Sequence, residues 1–204
     1  MNGDRYRKVF EKIKKPLIIT LLAALAVSYY IYLSNRDTDK NNGKEKETSV
    51  ATAVLQRDMD KNYPGSPRAV VTYFADIQKL IYKNDFDDDE LTGLAQHMLA
   101  TYDDELLEKN PYELFIENLK TEISTYKSEK QYISQYIVED GYGIELTDFK
   151  GDEYAEVDVK YYVRNDTQKQ TIAIYEKYTL RKDSKGQWKI LYWDLADGKD
   201  MEGY

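Results

Sequence analysis

An uncharged apolar segment near the start of the chain constrains its fold more than any other feature. Residues 16–35 contain no charged side chain, and an α-helix of this length is about 30 Å long, which matches the hydrocarbon core of a bilayer. Tyr29, Tyr30 and Tyr32 lie at the C-terminal end of the segment, where aromatic side chains favour the membrane interface. The sequence therefore predicts a transmembrane helix over residues 16–35.

The charges on either side of this segment predict its orientation. Residues 1–15 hold six basic and two acidic residues, whereas the four basic residues of 36–47 are interleaved with four acids. Lys and Arg residues that flank a membrane helix favour the cytoplasmic side. We therefore expect a cytoplasmic basic tail over 1–15 and a single-pass plasma-membrane protein whose C-terminal domain is extracytoplasmic. A cleaved signal peptide is the alternative, since Ala24-Leu25-Ala26 has the form of a cleavage site, although it lies inside the apolar run.

Beyond the membrane segment the chain is acidic, which excludes several classes of function. Residues 1–15 carry a net charge of +4 and the whole chain −8, so residues 16–204 carry −12. An acidic domain repels nucleic acid, because affinity for phosphate comes mainly from Lys and Arg. The absence of cysteine excludes disulfides and thiol nucleophiles, and a single histidine excludes a multi-histidine metal site. We expect no metal and no cofactor.

The rest of the chain divides into a linker, one folded domain and a short tail. Residues 36–54 are mainly polar and charged, which is typical of a tether. Within and just after this linker, Val50, Val54, Leu55 and Met59 suit a short helix that docks on the domain. Residues 55–198 are numerous enough to bury a core of their own, and residues 199–204 are expected to form a C-terminal tail.

Three helices are predicted at the start of the domain. The first begins at Pro67 with Ser66 as its N-cap, and the second begins after residue 87 or 88. The third starts at 110–111, where Glu113 is placed to complete a capping box. Each helix has one apolar face at helical spacing: Val70, Phe74, Ile77 and Ile81; Leu91, Leu94, Ala95, Met98 and Tyr102; Phe115 or Ile116, Leu119, Ile123 and Tyr126.

After residue 130 the apolar period changes from 3.6 to 2, which predicts strands. The candidates are residues 131–138, 142–149, 153–164 and 170–182, and GQWKILYWDL predicts a closing strand with Trp188 and Trp193 on opposite faces. One face of the third strand carries Ala155, Val157, Val159, Tyr161 and Val163, and one face of the fourth carries Ile172, Ile174, Glu176, Tyr178 and Leu180. The expected fold class is α+β, with three N-terminal helices packed on one face of a curved antiparallel sheet.

Short motifs in this domain resemble known families. Lys83-Asn84-Asp85, and Arg181-Lys182-Asp183 followed by Gly186-Gln187-Trp188-Lys189-Ile190, are similar to the nuclear-transport-factor-2-like (cystatin-like cone) superfamily. Tyr63-Pro64-Gly65-Ser66-Pro67-Arg68 resembles a family of membrane-anchored extracytoplasmic domains of Gram-positive bacteria. The resemblance covers about residues 55–196 and implies a cone-like domain. One departure is that the short strand often found between the second and third helices is not evident in this sequence.

The resemblance implies that a functional acid or base would lie inside the cone. Glu176 is the carboxylate that the strand period places on an apolar face, beside Tyr178. Burial would raise its pKa and suit it to proton abstraction, so Glu176 is the one catalytic candidate. The structural alternative is a glutamate bonded to a tyrosine or to a basic side chain. The residues expected to bind a ligand or partner are Tyr161, Glu176, Tyr178 and Trp193.

Two further features have structural explanations. His97 falls outside the apolar stripe of the second helix, which places it on an exposed or boundary face. The acidic run 85–90 suggests calcium, but an EF-hand loop starting at Asp85 needs glycine at Glu90 and glutamate at Gln96. Acids that precede a helix are explained by capping and by the helix dipole.

These observations favour a non-catalytic binding or interaction module that is anchored in the bilayer through residues 16–35. Its partner would be an envelope protein or a second copy of the chain. One alternative is a scaffold subunit of an envelope secretion or conjugation machine, by analogy of layout alone. The other is a small-molecule isomerase or dehydratase that uses Glu176. A deep cavity with a carboxylate and a tyrosine hydroxyl aimed at one point would favour the enzyme, and an interior filled by Tyr and Phe would exclude it.

Overall fold

Helices precede strands in residues 50–198, which are the part of the chain that this computed structural model describes. The helices are α1 (Pro67–Lys83), α2 (Asp88–Leu99), α3 (Asp104–Lys109) and α4 (Tyr112–Ser128), and the strands are β1 (Gln131–Val138), β2 (Glu145–Phe149), β3 (Asp152–Asn165), β4 (Gln170–Lys182) and β5 (Trp188–Leu195). Helices pack on an open antiparallel sheet, so the predicted α+β class is confirmed.

The predictions for residues 1–49 and 199–204 lie outside the described residues. They include the basic tail 1–15, the transmembrane helix 16–35, most of the linker 36–54 and the C-terminal tail. Between residues 50 and 198, no helix combines the length and the apolar character that crossing a bilayer requires. Residues 50–55 are helical, and Ala51 and Val54 are buried against the domain.

The starts of the first two predicted helices are confirmed by their caps. Ser66 Oγ accepts a hydrogen bond from the Ala69 backbone N–H at 3.2 Å. Asp87 caps α2 through a capping box, in which its side chain and that of Glu90 each accept a bond from the other residue's backbone N–H. These bonds satisfy donors that the first turn of a helix leaves without a partner.

The capping box predicted for the third helix is wrong. The N-cap of α4 is Pro111, which has no side-chain acceptor and forms no side-chain cap bond. Asn110 instead ends the short helix α3, and its Nδ2 donates to the Leu106 carbonyl oxygen at 2.9 Å. Helix α3 was not predicted, because six residues are too few to display a helical period.

The sheet has the order β1-β3-β4-β5, and β2 pairs with the other half of β3. The strand predicted over 142–149 begins later, at Glu145, because residues 140–143 form a turn with a bond from Gly143 N–H to the Asp140 oxygen at 2.9 Å. The register pairs Val157 with Tyr178 and Val159 with Glu176. Paired residues share a face, so the faces predicted for β3 and β4 are confirmed.

A β-bulge places both tryptophans on the same face of the sheet, so the prediction of opposite faces is wrong. The residues of one β4 face are paired with β5 as follows: Tyr178 with Trp193, Leu180 with Ile190, and Lys182 with Trp188. The register shifts between Thr179 and Leu180, which leaves Leu191 as an extra residue on β5. A bulge adds one residue to a strand and therefore reverses the alternation beyond it.

The helices cover this same face, which we call the inner face. Its centre is an aromatic cluster, defined here as Phe74, Tyr102, Tyr178 and Trp193, in which neighbouring ring centroids are 5.8–5.9 Å apart. Such distances are typical of well-packed aromatic pairs. Tyr102 also forms an isolated parallel bridge with Ile190, through Asp103 N–H to the Ile190 oxygen at 2.8 Å. A short strand-like contact therefore follows α2, which the sequence does not indicate.

Candidate functional site

Three of the four predicted site residues meet on the inner face of β3 and β4. Tyr178 Oη donates a hydrogen bond to Glu176 Oε2 at 2.7 Å. The hydroxyl oxygens of Tyr161 and Tyr178 are 3.0 Å apart, and Tyr161 Oη donates to Gln78 Oε1 at 2.7 Å. A continuous polar chain therefore runs from Gln78 on α1 to Glu176 on β4. Its two tyrosines are almost completely buried.

Trp193, the fourth predicted site residue, packs in the aromatic cluster. Its ring stacks on Tyr178 with centroids 5.8 Å apart and an interplanar angle of 22°, and it also packs against Phe74 and Tyr102. These contacts follow from the bulge, which turns Trp193 inward. Trp193 belongs to the aromatic cluster and does not line the cavity beside Glu176.

The cavity beside Glu176 has a volume of about 60 Å³. Its walls come from two helices and three strands: Gln78, Tyr82, Glu122, Tyr126, Ile133, Tyr161, Val163, Ile174 and Glu176. Glu122 is exposed, so the cavity reaches the surface on the side of α4. This volume accommodates a few water molecules or one small chemical group, whereas sites for whole small molecules usually measure about 300–1,000 Å³.

Burial controls the electrostatics of this site. Burial raises the pKa of Glu176, the negative charge of Glu122 raises it further, and the hydrogen bond from Tyr178 opposes both effects. Burial also raises the pKa of Tyr161 and of Tyr178 well above the ordinary value. Both hydroxyls therefore keep their protons at neutral pH, and each can donate one hydrogen bond.

The polar chain contains more contacts than hydroxyl protons. Three contacts link Gln78, Tyr161, Tyr178 and Glu176, but the two tyrosines supply only two protons. When Tyr161 donates to Gln78 and Tyr178 donates to Glu176, no proton remains for the contact between the hydroxyls. A proton on Glu176 completes the chain, and so does a Gln78 amide that turns its NH₂ group toward Tyr161.

Sequence reasoning missed four residues of this site, namely Gln78, Tyr82, Glu122 and Tyr126. Each helix contributes a pair at i and i+4, Gln78 with Tyr82 on α1 and Glu122 with Tyr126 on α4. Residues at this spacing lie on one side of a helix, and Tyr126 is itself part of the apolar face predicted for its helix. That spacing was the available signal, but it does not indicate which strands the pairs face.

The remaining candidates have structural roles. His97 Nδ1 lies 2.9 Å from Tyr73 Oη, and burial lowers the pKa of His97. The histidine is half-buried, as its boundary position predicted. In the acidic run, Asp87 caps α2, while Lys127 pairs with Asp85 and Lys120 with Asp88, both at 2.6 Å. Residues 50–198 contain no group of three His, Asp or Glu side chains placed to hold a metal ion.

A larger groove of about 650 Å³ lies beside the turn between β4 and β5. Its principal cations already have partners: Arg181 Nη2 contacts Asp103 Oδ1 at 2.5 Å, and Lys189 Nζ donates to the Ala100 oxygen at 2.8 Å. Lys189 also lies over the ring of Tyr63, 4.1 Å from its centroid, and burial lowers the pKa of Lys189. These contacts fix the hairpin to the end of α2.

Comparison with known proteins identifies the family of the chain. A domain of unknown function (DUF6715) matches residues 3–193, and no curated protein matches. Among solved structures, a de novo designed β-sheet protein determined by solution NMR is 12% identical, with 62% of this chain and 84% of that chain covered and a TM-score of 0.29. A TM-score this low does not indicate a shared fold. Because the family match spans almost the whole sequence, the chain belongs to the DUF6715 family.

Proposed function

We propose that this protein is a non-catalytic binding module, anchored in the plasma membrane, that holds a small group of a partner in the cavity beside Glu176. The observation that carries the proposal is the filled interior. The aromatic cluster occupies the centre of the inner face, and only about 60 Å³ remains beside Glu176. This volume suits one chemical group and is well below the usual volume for a whole substrate.

We also propose a cone-like shape for the domain and a membrane anchor at residues 16–35. A cone-like, nuclear-transport-factor-2-like domain is supported by the order of helices before an antiparallel sheet, and by the contact between Tyr102 and Ile190, which stands where such folds often place a short strand. Anchoring through residues 16–35, with the domain outside the cell, is supported by the apolar run and by the basic residues before it.

Site-specific cross-linking in living cells tests the proposal. A photoreactive side chain at position 122 lies at the mouth of the cavity, and the same side chain at exposed position 145 on β2 is the matched control. We expect a discrete cross-linked product from position 122 that is absent from position 145. A product that contains a second copy of the chain would support self-association. Identical patterns from both positions, or no product, would contradict the proposal.

The filled interior counts against the isomerase or dehydratase, which stays the second candidate because of one observation. A carboxyl group with a raised pKa and a tyrosine hydroxyl face the same cavity, which is the arrangement of an acid–base pair. Its test is the Glu176→Gln variant, which should lose all turnover of any substrate that is found. Unchanged turnover would remove Glu176 from a catalytic role.

A further inference from the structure

Two carboxylates face the cavity, and neither has a cationic partner. Glu176 accepts a hydrogen bond from Tyr178, but no Lys, Arg or His nitrogen of residues 50–198 forms an ion pair with Glu176 or with Glu122. Glu176 is half-buried, and a charge that is partly removed from water gains from a partner of opposite charge. The cavity therefore holds two acidic groups without a counter-charge among the described residues.

The aromatic walls of the cavity favour a cation in a second way. The rings of Tyr82 and Tyr126 pack against each other as a tilted pair with centroids 4.6 Å apart and an interplanar angle of 35°, and both residues line the cavity with Tyr161. The face of an aromatic ring carries negative electrostatic potential and attracts ammonium groups. Glu122 raises the pKa of Tyr82 and of Tyr126 in addition to burial, so its carboxylate acts on the hydroxyl groups of both residues.

The size and the ligand set of the cavity distinguish between kinds of cation. Calcium takes six to eight oxygen ligands, and the described residues offer no group of three acidic or histidine side chains. A primary ammonium group needs only three acceptors. Glu176, Glu122 and the oxygen of Gln78 supply acceptors around a space of about 60 Å³, which admits the head of an alkylamine but not a bulky ligand.

We infer that the cavity beside Glu176 binds a primary ammonium group, presented either by a lysine side chain of a partner protein or by a free alkylamine. This inference rests on the proposed function, because it names the chemistry that the binding module recognises. The ammonium group lies between the two carboxylates, beside the tyrosine rings that line the cavity. Its hydrocarbon stem leaves the cavity beside α4, where Glu122 is exposed.

Methyl NMR of the full-length protein in detergent micelles tests the inference. The methyl groups of Ile133 and Ile174 line the cavity, whereas Ile190 lies apart from it and serves as an internal control. The probes are n-butylammonium chloride, its neutral isostere 1-butanol, and a short peptide with one lysine. We expect both amines to shift the signals of Ile133 and Ile174 saturably, and 1-butanol to shift neither.

Variants assign the binding to the carboxylates. Glu176→Gln keeps the shape of the side chain and should weaken butylammonium binding at least about tenfold, because a partly buried ionic hydrogen bond is lost. Glu122→Gln changes an exposed residue and should weaken binding about threefold. Glu145→Gln, at an exposed position on β2, removes the same charge elsewhere and should leave binding unchanged.

The outcomes distinguish a lysine side chain from a free amine. They also distinguish failure of the ammonium inference from failure of the proposed binding module. A lysine peptide that binds more tightly than butylammonium indicates a partner side chain, and equal or weaker binding indicates a free amine. The absence of saturable shifts, or equal affinities for the unmodified protein and both cavity variants, would overturn the inference and leave water as the occupant. If position 122 still cross-links a partner in that case, the binding module stands and only the ammonium chemistry fails.

Discussion

The aromatic cluster and the Glu176 cavity are neighbours on the inner face, yet they are built from opposite kinds of side chain. In the cluster, Phe74 is 1% exposed and its ring packs against the three other rings of the cluster. Glu176 lies on β4, two residues before Tyr178 of the cluster, and it faces the open cavity. The cluster closes one part of the sheet, whereas the cavity leaves the adjacent part accessible from α4.

The two regions differ because the helices cover only part of β4. Leu180 and Tyr178 are fully buried beneath the helices, and Ile172, on the same face, is 54% exposed. Glu176 stands between them, where the cover ends. A carboxyl group placed deeper would lose nearly all its hydration, and one placed farther out would keep its ordinary chemistry. A position at the margin of the core can therefore carry an acid with a perturbed pKa without disrupting the core.

The largest effect is expected from Phe74→Ala, which opens the aromatic cluster. Phe74 contacts the three other rings of the cluster, so its truncation removes packing and leaves a void that the fixed sheet cannot close. We expect the free energy of unfolding to fall by about 3–5 kcal/mol, measured by urea unfolding with tryptophan fluorescence. A loss below about 1 kcal/mol would show that the cluster is not the centre of the core.

Tyr178→Phe tests the residue that the two regions share. The ring and its stacking on Trp193 are kept, while the donor to Glu176 is removed. We expect a loss of about 0.5–1.5 kcal/mol and a higher pKa of Glu176, because the hydrogen bond stabilises the ionised form. The control is Tyr161→Phe, which removes a hydroxyl with no direct bond to Glu176. An unchanged pKa of Glu176 in Tyr178→Phe would contradict the polar chain.

Smaller still is the effect of pH on the stability difference between Glu176→Gln and the unmodified protein. Burial raises the pKa of Glu176 in the folded state above the ordinary value of 4.5. The ionised form therefore opposes folding, with a penalty that is complete above the folded-state pKa and absent below the unfolded-state pKa. As pH rises through this window, the difference in free energy of unfolding should move in favour of the glutamine variant.

The pH prediction depends on which other titratable groups face Glu176. They are Tyr82 of α1, Glu122 and Tyr126 of α4, Tyr161 of β3 and Tyr178 of β4. The tyrosines have raised pKa values and do not titrate in the window. Repeating the measurement in a Glu122→Gln background removes the remaining acid. A stability difference that is constant across the window would refute a raised pKa for Glu176.

Glu122→Gln should change stability least, because the side chain is exposed. We expect the free energy of unfolding to stay within about 0.5 kcal/mol, while the pKa of Glu176 falls because one neighbouring negative charge is removed. Carbon NMR of the Glu176 carboxyl measures that change. A large loss of stability would mean that Glu122 belongs to the fold and not to the mouth of the cavity.

Local patterns predicted most of the fold. The two-residue period placed Tyr161 and Glu176 on the correct face, because every side chain of a regular strand alternates, and Ser66 marked the start of α1 through its cap bond. The alternation failed on β5 because one extra residue, Leu191, reverses it beyond the bulge. The capping pattern failed at α4 because Pro111, without a side-chain acceptor, holds the N-cap position.

The candidate site was predicted only in part, for a tertiary reason. Glu176, Tyr178 and Tyr161 lie on adjacent strands, so their meeting follows from strand alternation and antiparallel pairing. Gln78 and Glu122 reach the same cavity from helices far away in sequence, and no local pattern specifies how a helix is rotated above a sheet. The membrane segment at residues 16–35 stays a prediction, since it lies outside the described residues.

The most direct test of the account is a carbon NMR titration of the Glu176 carboxyl in the full-length protein, without and with n-butylammonium chloride. The account predicts a pKa above the ordinary value of 4.5 in the free protein, and a decrease when the amine is added, because a bound cation favours the ionised carboxylate. A pKa at or below the ordinary value in the free protein would contradict the central claim that Glu176 is a half-buried acid without a cationic partner.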